Sequence, residues 1–138
     1  MRFGPAALGG GGGAAPGLPG QIDYRLARNA IIKEFRKGRL SRLDVCDAHP
    51  ELLRAAHHVG APTGEECPIC EEAALVHVSY AFGPHLPASG QCFTSPTELA
   101  RLSRRAGQVA CYVVEVCPGC SWNHLTRTYV AGRSRTRS

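Results

Sequence analysis

The 138-residue sequence has no run of about 18 apolar residues, so no segment is suited to cross a bilayer as a helix. It also lacks a secretory signal, because Arg2 is followed by Gly and Ala rather than by a strongly apolar stretch. Aromatic residues are scarce at 7%, which argues against a row of base-stacking platforms for single-stranded nucleic acid. No P-loop, dinucleotide fingerprint or Ser/His/Asp arrangement occurs, and no pair of acid/base groups can be assembled into a catalytic site. A cytoplasmic, non-enzymatic protein without a small-molecule substrate is therefore expected. Basic residues are nearly absent from the middle of the chain, where residues 43–100 hold one Arg against eight acids.

The two ends have the opposite balance. Residues 1–42 carry eight Lys/Arg against two acids, and residues 101–138 carry seven Arg against one acid. Such blocks suit a polyanionic or acidic partner for the ends, and pairing of the blocks with each other is an equally physical outcome.

Composition divides the chain. Residues 1–20 contain eight Gly and three Pro, with five consecutive Gly at 9–13, and are expected to be disordered. The organised sequence begins at Gln21, which leaves a later start codon as an alternative. A helical region is expected over 21–60. From Asp23 to Lys37, Tyr24, Ala27, Ile31 and Phe35 fall on one stripe, with Arg25, Lys33, Arg36 and Lys37 roughly opposite. Over 41–60, Ser41 with Asp44 resembles a capping box, and Asp47 can cap a second start before Pro50. Leu52, Leu53 and Ala56 are its candidate core, and Gly60 its stop. Residues 61–66, with Pro62 and Gly64, are expected to be a polar connector.

Strand patterns follow at 75–82, 91–94, 109–116 and 125–130, the first with Val76, Val78, Tyr80 and Phe82 as its more apolar face. Between the second and third, Ser95-Pro96-Thr97-Glu98 is a helix start, and Leu99, Leu102 and Ala106 form its buried stripe, with Arg101, Arg104 and Arg105 on the other side. A basic tail at 132–138 is expected to be disordered.

Seven cysteines in a chain without an export signal point to metal binding rather than disulfides. Two C-x-x-C pairs, Cys67/Cys70 and Cys117/Cys120, supply the four soft ligands of one tetrahedral structural Zn2+. A two-residue gap lets one tight turn present two thiolates, with its backbone amides pointing back at the sulfurs. Pro68 and Pro118 pre-set each turn, and Gly119 tolerates a positive φ where the turn needs one. Trp122 can shield the site from water, and His124 is a candidate hydrogen-bond donor behind the ligands.

The gap of 46 residues between the pairs exceeds the roughly 15–20 of a compact two-pair site, and is accounted for by an inserted strand and helix. The expected architecture is α+β: N-terminal helices, then a zinc-ribbon-like antiparallel sheet with an inserted helix over 61–131. A redox role is disfavoured because neither pair opens an evident helix. A catalytic zinc is disfavoured because four thiolates close its shell. Cys46 and His49 have the spacing of a further metal site, but Cys46 reads better as a small buried side chain. Cys92 and Cys111 are expected as core thiols, and His77 and His85 carry no signal.

Three stretches carry a resemblance: Arg42–Ala56 (RLDVCDAHPELLRAA), Tyr80–Gly83 (YAFG) and Val113–Leu125 (VVEVCPGCSWNHL), together with the Cys67 pair. In these the chain resembles, over about residues 21–132, an uncharacterised actinobacterial family whose short cytosolic members carry two CxxC pairs. The Gly-rich leader departs from that family's usual short N-terminus. The resemblance implies a soluble actinobacterial protein and supplies no activity. Two functions stay open: a zinc module that contacts nucleic acid or a machine bound to it, such as RNA polymerase, through Arg25, Lys33, Arg36, Lys37, Arg101, Arg104 and Arg105; or a protein-interaction adaptor without nucleic acid.

Overall fold

A computed structural model describes residues 15–16 and 21–132. The remainder of the expected leader, and the expected tail from residue 133 onward, lie outside the described residues. The elements in chain order are β1 (Ala15–Pro16), β2 (Gln21–Asp23), α1 (Arg25–Arg36), α2 (Arg42–Val45), α3 (Pro50–Val59), β3 (Ala61–Glu66), β4 (Ala74–Phe82), β5 (Gln91–Phe93), α4 (Pro96–Ala106), β6 (Val109–Val116) and β7 (Asn123–Ala131). The fold is α+β, as the sequence predicts.

The strands form one sheet in the order β1-β2-β7-β6-β4-β3, with β5 also paired to β4. Every pairing is antiparallel. At its centre β4 runs alongside β6 from Val76↔Val116 to Phe82↔Ala110, and β6 runs alongside β7 from Val109↔Ala131 to Val116↔Asn123. An extra residue in β7 interrupts the second ladder opposite Val113 and Val114.

Helices cover both faces of this sheet. On one face, Leu52 and Ala56 of α3 pack with Val78, Tyr80, Val114, Val116 and Leu125. On the other, Leu102 and Ala106 of α4 pack with Ala81, Val109 and Cys111. Glu115 shares that second face, since it lies at even spacing from Val109 and Cys111 on a regular strand, and Arg28 of α1 reaches it. Thus α1 and α4 lie on the same face, α1 toward the Val116 end of β6 and α4 toward the Val109 end.

Coverage of both faces explains why β4 does not bury only its alternating apolar set. Leu75 and Ala81 are buried together with Val78 and Tyr80. Likewise Ile32 is the fully buried residue of α1, while Ile31 and Phe35 are partly buried beside it.

Three local expectations are corrected. Residues 61–66 form the edge strand β3 rather than a connector. Apart from the half-buried Thr63 they are exposed, so no apolar alternation marks them; the strand is made by backbone pairing to β4. Gln21–Asp23 is a strand paired to β7, and the helix starts only at Arg25. The cap of α3 is His49 rather than Asp47: its ring nitrogen Nδ1 accepts the Glu51 N–H at 3.0 Å. The capping box of Ser41 and Asp44 forms as expected. Ser95 caps α4 through the Glu98 N–H, while Glu98 reaches back to the Thr94 N–H. Gly60 ends α3 because of a close approach: a Cβ there would meet the Ala56 carbonyl at 2.5 Å and the Val76 side chain at 2.7 Å.

Candidate metal centre

Antiparallel pairing of β4 with β6 brings two turns to one end of the sheet. The turn holding Cys67 and Cys70 joins β3 to β4, and the turn holding Cys117 and Cys120 joins β6 to β7. Both turns have the same construction. Cys67 N–H donates to the Ala73 carbonyl and Cys117 N–H to the Trp122 carbonyl, each at 2.8 Å. The Cys67 and Cys117 carbonyls accept from Glu71 and Ser121, each at 3.0 Å. Glu71 and Ser121, the residues after each second Cys, have φ of 58° and 76°. The left-handed position that Gly119 would tolerate therefore falls two residues later. Gly119 serves packing instead, since a Cβ there would lie 3.0 Å from that of Ala73.

The four sulfurs lie within 4.8 Å of one another, and can hold a metal ion. Cys67 and Cys120 are 3.7 Å apart, and Cys70 and Cys117 are 3.8 Å apart. Backbone amides address the sulfurs: Ile69 N–H donates to Cys67 Sγ and Cys120 N–H to Cys117 Sγ, each at 3.3 Å. Burial pushes the Cys67 and Cys117 thiols up. Burial acts the same way on Cys70, but the Glu72 and Ala73 amides outweigh it and bring that thiol down to about 7. The backbone thus favours a thiolate there near neutral pH. Among the described residues, no other group of three or more His, Cys, Asp and Glu side chains is placed to share an ion.

Trp122 is buried in the cluster formed by Ile32, Val45, Cys67, Ile69, Leu75 and Cys117, where it shields the sulfurs. Its indole Nε1 donates to Glu115 Oε2 at 2.7 Å. Glu115 is only 5% exposed and also accepts from Arg28 Nε at 3.0 and 2.9 Å. Sequence reasoning missed this network, although one acid inside the apolar strand Val113–Val116 signals a buried partner. His124 stacks on Trp122 at 6.1 Å between ring centroids. Its Nδ1 pairs with the Leu125 carbonyl at 2.7 Å. A carbonyl only accepts, so Nδ1 carries the proton and points at backbone. Burial holds the ring below the ordinary imidazole value and hence neutral.

Cys46 and His49 have different contacts: His49 Nδ1 caps α3, and Cys46 Sγ donates to Cys120 Sγ at 3.5 Å. The Arg42 guanidinium hydrogen-bonds both sulfurs. Cys111 is fully buried and Cys92 half-buried against Tyr80.

The sequence-predicted cations are exposed: Arg25, Lys33 and Arg36 on α1, Lys37 at its C-terminal cap, and Arg101, Arg104 and Arg105 on α4. A groove of about 450 Å³ between α1 and Pro68 is lined by Arg28, Lys33, Arg36 and Lys37, with no acid in its wall.

These features define an α+β chain with four cysteines placed to hold a metal ion at one end of an antiparallel sheet. A model described as a family of unknown function (DUF5318) matches residues 19–138, and the chain belongs to that family. Uncharacterised proteins of Mycobacterium tuberculosis and Mycobacterium bovis are each 45% identical to it over 114 residues, 83% of either chain. These relatives are actinobacterial, as the resemblance implies. No solved structure matches the chain. Among the described residues, no helix is long and apolar enough to cross a membrane.

Proposed function

We propose that this is a non-enzymatic module built on one structural zinc, and that it contacts nucleic acid, or a machine bound to it, through its two basic helices. The sulfur spacing fits a tetrahedral ion, and zinc is the structural ion that four-cysteine sites commonly hold. Bonds of about 2.3 Å in a tetrahedron separate sulfurs by about 3.8 Å, and the two short pairs stand at 3.7 and 3.8 Å. Four thiolates close the coordination shell and leave no position for water or substrate. Two knuckles on adjacent hairpins, with β5 and α4 inserted between them, correspond to a zinc-ribbon-like arrangement.

The groove beside α1 carries the nucleic-acid reading. It collects Lys33, Arg36 and Lys37 beside Arg28, whose charge Glu115 already meets, and α4 presents further Arg side chains on the same sheet face. Phosphates bound there would release counterions, so affinity should fall steeply with salt. The test is binding of generic DNA and RNA at two salt concentrations by the native chain and by Lys33→Glu/Arg36→Glu/Lys37→Glu. Binding at low salt, with a slope reduced by about 0.9 for each lost phosphate contact, is expected. No binding by the native chain at low salt overturns the reading.

An adaptor without nucleic-acid contact is the second reading, and Leu43 favours it. This side chain is 88% exposed on α2, close in sequence to Cys46 at the metal centre, and Glu65, Glu66, Glu71 and Glu72 are exposed around the first knuckle. It predicts partner capture that survives nuclease and is lost in Leu43→Asp.

A further inference from the structure

Five thiols, rather than four, meet at the metal end of the sheet. Cys67, Cys70, Cys117 and Cys120 form the ligand set. Cys46 lies outside it, yet its sulfur is 3.5 Å from Cys120, nearer than either short distance within the set. This contact is held from several sides. The Ala48 N–H donates to the Ser121 carbonyl at 3.1 Å, and Asn123 Nδ2 donates to Asp47 Oδ1 at 3.1 Å. Residues 46–48 are thereby fastened to the knuckle at 120–123. The Arg42 guanidinium lies against both sulfurs. Exposure permits attack there: Cys46, Cys70 and Cys120 are half-buried, whereas Cys67 and Cys117 are buried.

We propose that Cys46 and Cys120 form an oxidative modification site, in which a hydroperoxide drives a disulfide between them and so removes one ligand from the centre. The inference rests on the metal reading above. The Cys120 thiolate attacks the peroxide; its O–O bond breaks, giving a sulfenic acid on Cys120 and releasing hydroxide (from hydrogen peroxide) or alkoxide. The Cys46 thiol then attacks that sulfur; the S–S bond forms, the S–O bond breaks, and water leaves with the Cys46 proton. One peroxide is reduced by two electrons, and each sulfur gives one. The sulfurs must close from 3.5 Å to about 2.05 Å, and the hydrogen bonds of residues 46–48 keep them neighbours as they do so. Three thiolates then remain for the ion, which weakens its binding. A bridge between two ligands would remove two at once. Linkage to Cys46 leaves the rest of the cage formed, so a thiol reductant restores the full set.

The full-length chain, analysed for zinc content and then treated with hydrogen peroxide, tests this. Zinc release is followed with a chromogenic chelator, and disulfides are mapped by proteolysis and mass spectrometry without reduction. The expected result is a peptide linkage between Cys46 and Cys120 that rises with zinc release and reverses with a thiol reductant. Loss of the resolving thiol in Cys46→Ser should remove the linkage and leave the Cys120 sulfenic acid open to further oxidation, so that less zinc binding returns with the reductant than in the native chain; Cys46→Ala checks that the serine hydroxyl plays no part. Full recovery of zinc binding in both variants, or linkages confined to the four ligands, overturns the proposal. A chain that carries no zinc refutes the metal reading alone, and the linkage map still decides for or against Cys46.

Discussion

At the metal end of the sheet, Cys67, Cys117 and Trp122 are buried beside a carboxylate, Glu115, and its partner Arg28. At the other end, Leu102, Ala106, Val109, Cys111 and Phe93 pack with no charged side chain among them. The same two strands, β4 and β6, run through both regions. One end is assembled from polar and soft atoms that need specific partners, and the other from apolar area alone. The hydrophobic core can hold part of the sheet without an ion, whereas the knuckles rely on a smaller apolar cluster and on hydrogen bonds that leave four sulfurs facing one another. Four thiols brought together without a cation lose their purpose and repel as they ionise.

Removing the ion is the most severe way to test this contrast. Apparent binding free energies of structural zinc reach about 10–16 kcal/mol in small peptides. Chelation, or Cys117→Ser, is therefore expected to abolish stoichiometric metal and strip hydrogen-exchange protection from residues 67–75 and 116–124. Protection in α4 and at residues 109–113 should persist. Uniform loss along β6 would mean that the two ends are one cooperative unit.

A smaller perturbation leaves the cysteines alone. Arg28→Met leaves the Glu115 carboxylate buried with Trp122 as its remaining side-chain donor, and breaking a buried pair from one side costs about 3–5 kcal/mol. Urea melts of the zinc-loaded chain measure it. A cost below about 1 kcal/mol would place the pair with solvent-screened surface bridges, contrary to its burial.

Ser95→Ala acts at the other end. It removes the side-chain acceptor for the Glu98 N–H and should cost about 1 kcal/mol through the start of α4. Zinc content and affinity should not change. A matching fall in metal affinity would show that strain passes along β6, and would weaken the distinction between the ends.

Legibility followed how local each signal was. The capped starts of α2 and α4, strand β6 and the four cysteines were readable because each rests on neighbouring residues: a hydroxyl before a turn, an alternating run, a two-residue gap. Strand β3 was not readable, because an edge strand exposed along most of its length has no apolar pattern and exists through its hydrogen bonds to β4. Strand β2 was hidden for a similar reason, being only three residues long and paired to a partner about 100 residues away. The tolerance of Gly119 for a positive φ goes unused, since the turn takes its left-handed residue at Ser121.

The pairing of sulfurs within each turn was local information, because C-x-x-C spacing sets how one turn offers two of them. The sequence by itself also determined the basic character of α1 and α4. Tertiary structure alone decided that the two turns share one end of the sheet, through the antiparallel register of β4 on β6. It decided that α1 and α4 lie on a common face, that Glu115 finds Arg28 and Trp122, and that Cys46 comes to rest beside Cys120 across 74 residues of sequence. Those outcomes depend on long-range pairing and packing, which no short window of residues encodes.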